Sequence, residues 1–206
     1  MRRTEPHPSA SGPTEGEGAK PGSPEVAATG AGKEVLRLRD IPFAGAAALL
    51  ARYGLRLERV ADGDAIPGSY WGDDEAGVIG HAVHARDDTP VHSLLHEACH
   101  LIVLPPERRA AVHTDATDSV EEEDAVCVLQ ALLGDELPAV GRERVLADMD
   151  AWGYTFRLGS AAAYFESDAA AAWAWLQARG LVGPEKTLRI PAASGNKAGG
   201  DTGKTS

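Results

Sequence analysis

The sequence predicts an α+β fold: a small sheet of about three strands packed against two long helices, with a helical C-terminal part. Three observations carry this reading. Segments 34–39, 55–60 and 78–85 alternate apolar and polar residues with the two-residue period of half-buried strands. Segments 90–104 and 119–133 instead hold their apolar residues at helical spacing. Past residue 140, two further helical patterns end in glycine, at Gly153 and Gly180.

The ends of the chain read differently. Residues 1–33 hold five prolines, six glycines and no aromatic residue. Such a segment buries too little surface to offset its ordering entropy, so it is expected to be a disordered tail. Residues 191–206 are small and polar and carry the same expectation. A single domain over 34–190 is left, long enough for a proper core.

Within it, Glu34 to Arg39 is the first expected strand and Ile41 to Tyr53 a short helix ended by Gly54. Leu55 to Val60 is the second strand. A turn-rich loop with Tyr70 and Trp71 follows. Val78 to Ala85 is the third strand, with Val78, Gly80, Ala82 and His84 on one side and Ile79, His81, Val83 and Ala85 on the other. Thr89 suits an N-cap and Pro90 the first helical position, while Pro105 and Pro106 stop the helix that follows. Residues 107–110 suit a short helical piece, and 113–118 a polar loop. Ser119 to Leu133 is the second long helix, closed by Gly134; Arg142 to Trp152 and Ser167 or Asp168 to Arg179 are the later two. Between those, TFRLGSAAAYF fits a strand or a loop. Trp152, Tyr154, Tyr164, Phe165, Trp173 and Trp175 make this the aromatic half of the core.

Composition narrows the function. A formal net charge of −11 and a pI near 5.0 argue against nucleic acid or an anionic membrane as main partner. No run of about 18 apolar residues is present, and the N-terminus lacks the apolar core of a signal peptide. Cys99 and Cys127 fall inside apolar helical patterns and read as reduced core residues. A cytoplasmic protein is the expectation.

The first long helix carries the chemistry. His96-Glu97-Ala98-Cys99-His100 has the form H-E-x-x-H. On a helix, His96 and His100 stand one turn apart on one face and can grip one Zn²⁺ together. Glu97 can then act as general base on a metal-bound water. The structural alternative is a buried helix whose histidines only hydrogen-bond to neighbours. Against it, Val91, Leu94, Leu95, Ala98, Leu101 and Ile102 make the helix apolar on nearly every side. Two imidazoles and a carboxylate there need strong partners, because unpaired buried polar groups are expensive.

A catalytic zinc site needs a third protein ligand. The metzincin pattern would place a glycine at position 103 and a histidine at 106, where this chain has Val103 and Pro106. The third ligand is therefore expected to be a carboxylate at the start of the second long helix. Glu122 shares a stripe with Val126, Leu129 and Leu133 and is favoured. Glu121 lies in line with Ala125, Val128 and Leu132. Glu123 leads to Cys127 and Gln130, a more polar line. His113 and Asp115 stay open as well. Ser119-x-x-Glu122 is also a capping-box pattern, which would give Glu122 a purely local role unless Asp118 caps instead.

From about Gly68 through Leu133 the chain resembles the core of the ImmA/IrrE-like zinc metallopeptidases. In that family a strand leads into H-E-x-G-H, and a later helix carries a pattern like E-x-E-A-N-x-F-A-x-x-L-L. HEACH stands here for the first motif, and Glu122-Glu-Asp-Ala125 followed by VCVLQALL for the second. The resemblance implies that His96, His100 and Glu122 bind zinc and that Glu97 is the catalytic carboxylate. Cys99 replaces the usual glycine, Asp124 the second glutamate, Val126 the asparagine and Val128 the aromatic residue. The polar partner expected near that asparagine is thus missing or comes from another residue.

Other residues near the motif are weighed on the same terms. His92 continues the stripe of His96 and His100, but a straight helix offers only two histidines to one ion, so a core or rim place suits it. His81 and His84 on the third strand are either ordinary strand histidines or contacts for substrate. Tyr154, Tyr164 and His113 are candidates to polarise a carbonyl. The expected function is a zinc-dependent hydrolase, a metallopeptidase acting on a peptide or protein. The alternative is a metal-stabilised protein-binding or regulatory domain without turnover, and a third option is a helix that binds no metal.

Overall fold

The structure, a computed structural model, describes residues 34–70, 72–114 and 119–191. The expected N-terminal tail, residues 192–206 of the C-terminal one, Trp71, Asp115 and Asp118 lie outside the described residues. The fold is α+β, with a three-stranded mixed sheet and seven α-helices among the described residues.

The sheet has the order β1-β3-β2, with β1 (Arg56–Arg59) parallel and β2 (Gly77–Ile79) antiparallel to β3 (Ala82–Ala85). The expected single strand 78–85 is therefore a hairpin. Gly80 turns the chain with a φ of 59°, the conformation a two-residue hairpin turn demands at its first central position. The turn resets the alternation. Val78 and Val83 pair across the hairpin and are both fully buried, whereas unbroken alternation puts them on opposite faces.

The first expected strand, 34–39, is not part of the sheet. A 3₁₀ turn occupies Leu38–Asp40, and the extended residues before it run along the start of the motif helix. Val91 N donates to Leu36 O at 2.9 Å, Leu38 N to Thr89 O at 2.9 Å, and Leu36 N to the buried Asp148 carboxylate at 2.9 Å. These bonds tie the segment to the start of the motif helix and to Asp148 rather than to a strand.

Helix α1 (Phe43–Arg52) packs on β1. Helix α2 (Val91–Val103), which carries H-E-x-x-H, lies between β2 and β3 on one side and α4 (Val120–Gly134) on the other. Thr89 does not cap α2. Its hydroxyl closes the preceding turn by accepting from Arg86 N at 3.0 Å, and Pro90 stands at the N-cap. Short α3 is Pro106–Arg109.

Helices α5 (Arg142–Trp152), α6 (Ala161–Ser167) and α7 (Ala170–Ala178) complete the C-terminal part. The segment expected as strand or loop, 155–165, is a loop through Ser160 and then the first five residues of α6, which Ser160 caps by accepting from Ala163 N. Helix α4 packs on α2, α5 and α7, which makes it the hub of the helical layer. Its last residue, Gly134, lies so close to α5 that an added Cβ would fall 2.7 Å from Val145 Cγ2. Among the described residues, no helix is long and apolar enough to cross a membrane.

Candidate metal centre

Helix α2 buries His92, Ser93 and His100 together with the apolar residues on both sides of them. His96 and Glu97 are half-buried. The i, i+4 spacing brings the two motif imidazoles together: His96 Nε2 and His100 Nε2 lie 3.0 Å apart, with the rings nearly perpendicular.

The acid that meets them is Glu123. Its Oε1 is 3.2 Å from His96 Nε2 and its Oε2 is 3.6 Å from His100 Nε2. The favoured ligand, Glu122, points elsewhere. Ser119 caps α4 by accepting from Glu122 N at 3.2 Å, and the Glu122 side chain lines a surface groove with Ile102, Val103, Arg108 and Arg179. Glu121 is exposed. One residue along α4 is a turn of about 100°, enough to exchange the groove for the histidines.

The stripe that begins at Glu123 continues to the site. Cys127, one turn on, shares a hydrogen bond with His96. Ligand atoms of His96, Glu123 and Cys127 all lie within 4.8 Å of one another, a group able to hold a metal ion. A further turn on, the fully buried Gln130 accepts from His96 Nδ1–H at 2.6 Å. That bond directs Nε2 of His96 at Glu123. The other end of the amide, Gln130 Nε2, has no hydrogen-bond partner.

Electrostatics follow from this packing. Burial alone would raise the Glu123 carboxyl, but the charge and hydrogen bond of His96, together with His100, pull its pKa down to about 2. Burial disfavours a charged His96, yet the Glu123 carboxylate and the hydrogen bond with Cys127 outweigh it, and its pKa stands well above the usual histidine value. Burial holds the Tyr154 phenol far above its ordinary range, so it stays protonated at neutral pH.

Tyr154 follows the C-terminus of α5 and sets its ring edge-on to His96, 6.0 Å between centroids, and to His92 at 5.8 Å. His92 is packed between Tyr154 and Trp152, a core position. Tyr164 stands a row further back, stacked on Phe156, which in turn stacks on Tyr154. His113 is exposed beside β2 and bonds Thr114 Oγ1. His81 lines a separate groove with Arg52 and Arg109, and His84 sits on β3 opposite Glu58.

One carboxylate has no counterpart in the sequence reading. Glu75, in the loop before β2, accepts from Trp152 Nε1 at 2.9 Å, and burial raises its pKa while the His96 charge pulls the other way. It sits in an aperiodic acidic loop, where spacing gives no signal. Compared with known proteins, the chain matches no family model, no curated protein and no solved structure.

Proposed function

We propose that the protein is a zinc-dependent peptidase of the ImmA/IrrE kind, with His96, His100 and Glu123 as zinc ligands. One observation carries the reading: three side chains from two helices converge, with His96 Nε2 3.0 Å from His100 Nε2 and 3.2 Å from Glu123 Oε1, and His100 Nε2 3.6 Å from Glu123 Oε2. Ligands about 2.0–2.1 Å from a tetrahedral zinc ion lie roughly 3.4 Å apart. The residues fit the ion. When bound, zinc polarises a carbonyl and lowers the pKa of water from 15.7 to about 7.

The chain supplies the rest. Gln130 holds His96 in the tautomer whose Nε2 lone pair is free for metal. Glu97, adjacent to His96 on α2 and half-buried, takes the proton of the attacking water and passes it to the leaving amine. Tyr154, protonated and beside His96, is the group best placed to donate a hydrogen bond to the developing oxyanion. The substrate is a peptide or protein. The same reading puts the chain in the cytoplasm, where its two free buried cysteines stay reduced.

A second reading, a metal-stabilised regulatory domain without turnover, draws on the thiol of Cys127 beside the donor set. Glu97→Gln separates the two. The variant is expected to keep zinc near one per chain and to lose cleavage of a fluorogenic peptide library by roughly 10²–10⁴-fold. Cleavage at the unchanged rate would overturn the peptidase reading.

A further inference from the structure

Cys127 is more than a filler of the core. It follows Glu123 by one helical turn, so both project from the same face of α4. Its sulfur falls within 4.8 Å of ligand atoms of both His96 and Glu123, and it is hydrogen-bonded to His96. Only 7% of the residue is exposed, so little water competes for the place. A structural zinc site fills all four positions with protein ligands, whereas a catalytic one keeps a position open. Thiolate bonds zinc readily, at about 2.3 Å, a reach that rotation about the Cα–Cβ bond can adjust.

We propose that Cys127 is the fourth ligand of the resting metal site and is displaced when a substrate or another external ligand binds. This rests on the zinc reading above. Binding of the ion takes the proton from the thiol and releases it to solvent. Opening breaks the metal–sulfur bond: the thiolate regains a proton, and an oxygen of water or of the entering ligand takes the vacated position. No electrons are exchanged. The enzyme is therefore latent at rest, and its ligand set switches between four protein groups and three.

Cobalt substitution of the full chain tests this by absorbance rather than turnover. Thiolate bound to Co²⁺ gives an intense near-ultraviolet charge-transfer band, which imidazole and carboxylate do not. The loaded wild type is expected to show that band, Cys99→Ser to keep it, and Cys127→Ser and Cys127→Ala to lose it while still binding cobalt. Acetohydroxamate should abolish the band in the wild type and bind Cys127→Ala about tenfold more tightly, a gain of ~1.4 kcal/mol. Cobalt bound without a band would overturn the thiolate ligand and leave the three-ligand site standing. A band that survives in Cys127→Ala, or one that acetohydroxamate leaves untouched, would equally overturn the proposal. Failure of the wild type to bind cobalt at all would remove the site itself.

Discussion

Helices α2 and α4 meet across the candidate centre, and they carry their polar groups in opposite styles. On α2 the chemistry stands as a compact motif, His96 and His100 a turn apart in an apolar helix. On α4 it is a line: Glu123, Cys127 and Gln130, spaced by four and then three residues along one face. The apolar side of each helix holds the core together. The difference teaches that a buried polar stripe, and not the apolar stripe beside it, marks the face that meets the histidines of the neighbouring helix, because buried polar atoms need polar partners.

Removing the ligands should break the comparison most severely. His96→Ala and Glu123→Gln are expected to weaken zinc binding by more than about a hundredfold, beyond the tenfold-to-hundredfold loss usual for outer-shell partners. Glu122→Gln, in the groove beside Ile102 and Arg108, should leave it within about twofold. Titration against a competing chelator measures all three. Loss of metal in Glu122→Gln alone would reverse the assignment of faces on α4.

Much of this was legible from residues alone. The two long helices, H-E-x-x-H and the cap at Ser119 follow from spacing and local hydrogen bonding, which the sequence encodes directly. Which glutamate meets the histidines was not, because three successive glutamates differ only by rotation about α4. Following the apolar stripe favoured Glu122. Its neighbours Val126 and Leu129 are indeed buried, yet the first turn of α4 reaches past the core to the surface, where Glu122 lies in the groove. The usable signal was the polar line through Cys127 and Gln130, since both sit deep in a helix otherwise filled with Ala, Val and Leu. Residues 34–39 and the 78–85 hairpin were misread for another reason. Alternation reports which residues are buried, but not whether a glycine turn divides a strand or whether α2 and Asp148 take its backbone bonds.

The apolar side of α4 should behave in the complementary way. Leu129 is fully buried, and Leu129→Ala is expected to cost about 2–5 kcal/mol of stability by denaturant unfolding of the metal-free protein. Zinc per folded chain should stay at the wild-type value. A variant that unfolds normally but binds no metal would mean that core and centre are not separable faces of the helix.

Gln130→Leu sharpens the contrast, because the two effects should differ in size. Losing the bond to His96 Nδ1 frees the imidazole to rotate, and zinc affinity is expected to fall about tenfold to a hundredfold. The same change removes a buried amide nitrogen that has no partner, which offsets the cost of leaving His96 Nδ1–H without its acceptor, so the metal-free protein should lose no more than about 1 kcal/mol. A stability loss beyond about 1 kcal/mol would show that Gln130 serves the core first and the imidazole second.

The smallest expected effect is the pH dependence of that metal-free state. His96 has a folded pKa well above its unfolded value of about 6.5, so its contribution is complete below that pH and fades as pH rises through the folded value. Glu123 is the reverse. Its folded pKa of about 2 lies below an unfolded value near 4.3, so its contribution is complete above that and fades as pH falls toward the folded value. The pair therefore supports the empty site best between roughly pH 4.5 and 6.5. Zinc demands the opposite, since it must displace the proton from His96. The rise in Tm on adding zinc should thus grow from pH 5.5 to pH 8, and Glu123→Gln should flatten the trend. An increment independent of pH would mean that His96 sheds no proton to the ion, leaving α4's polar line to face an imidazole that never binds metal.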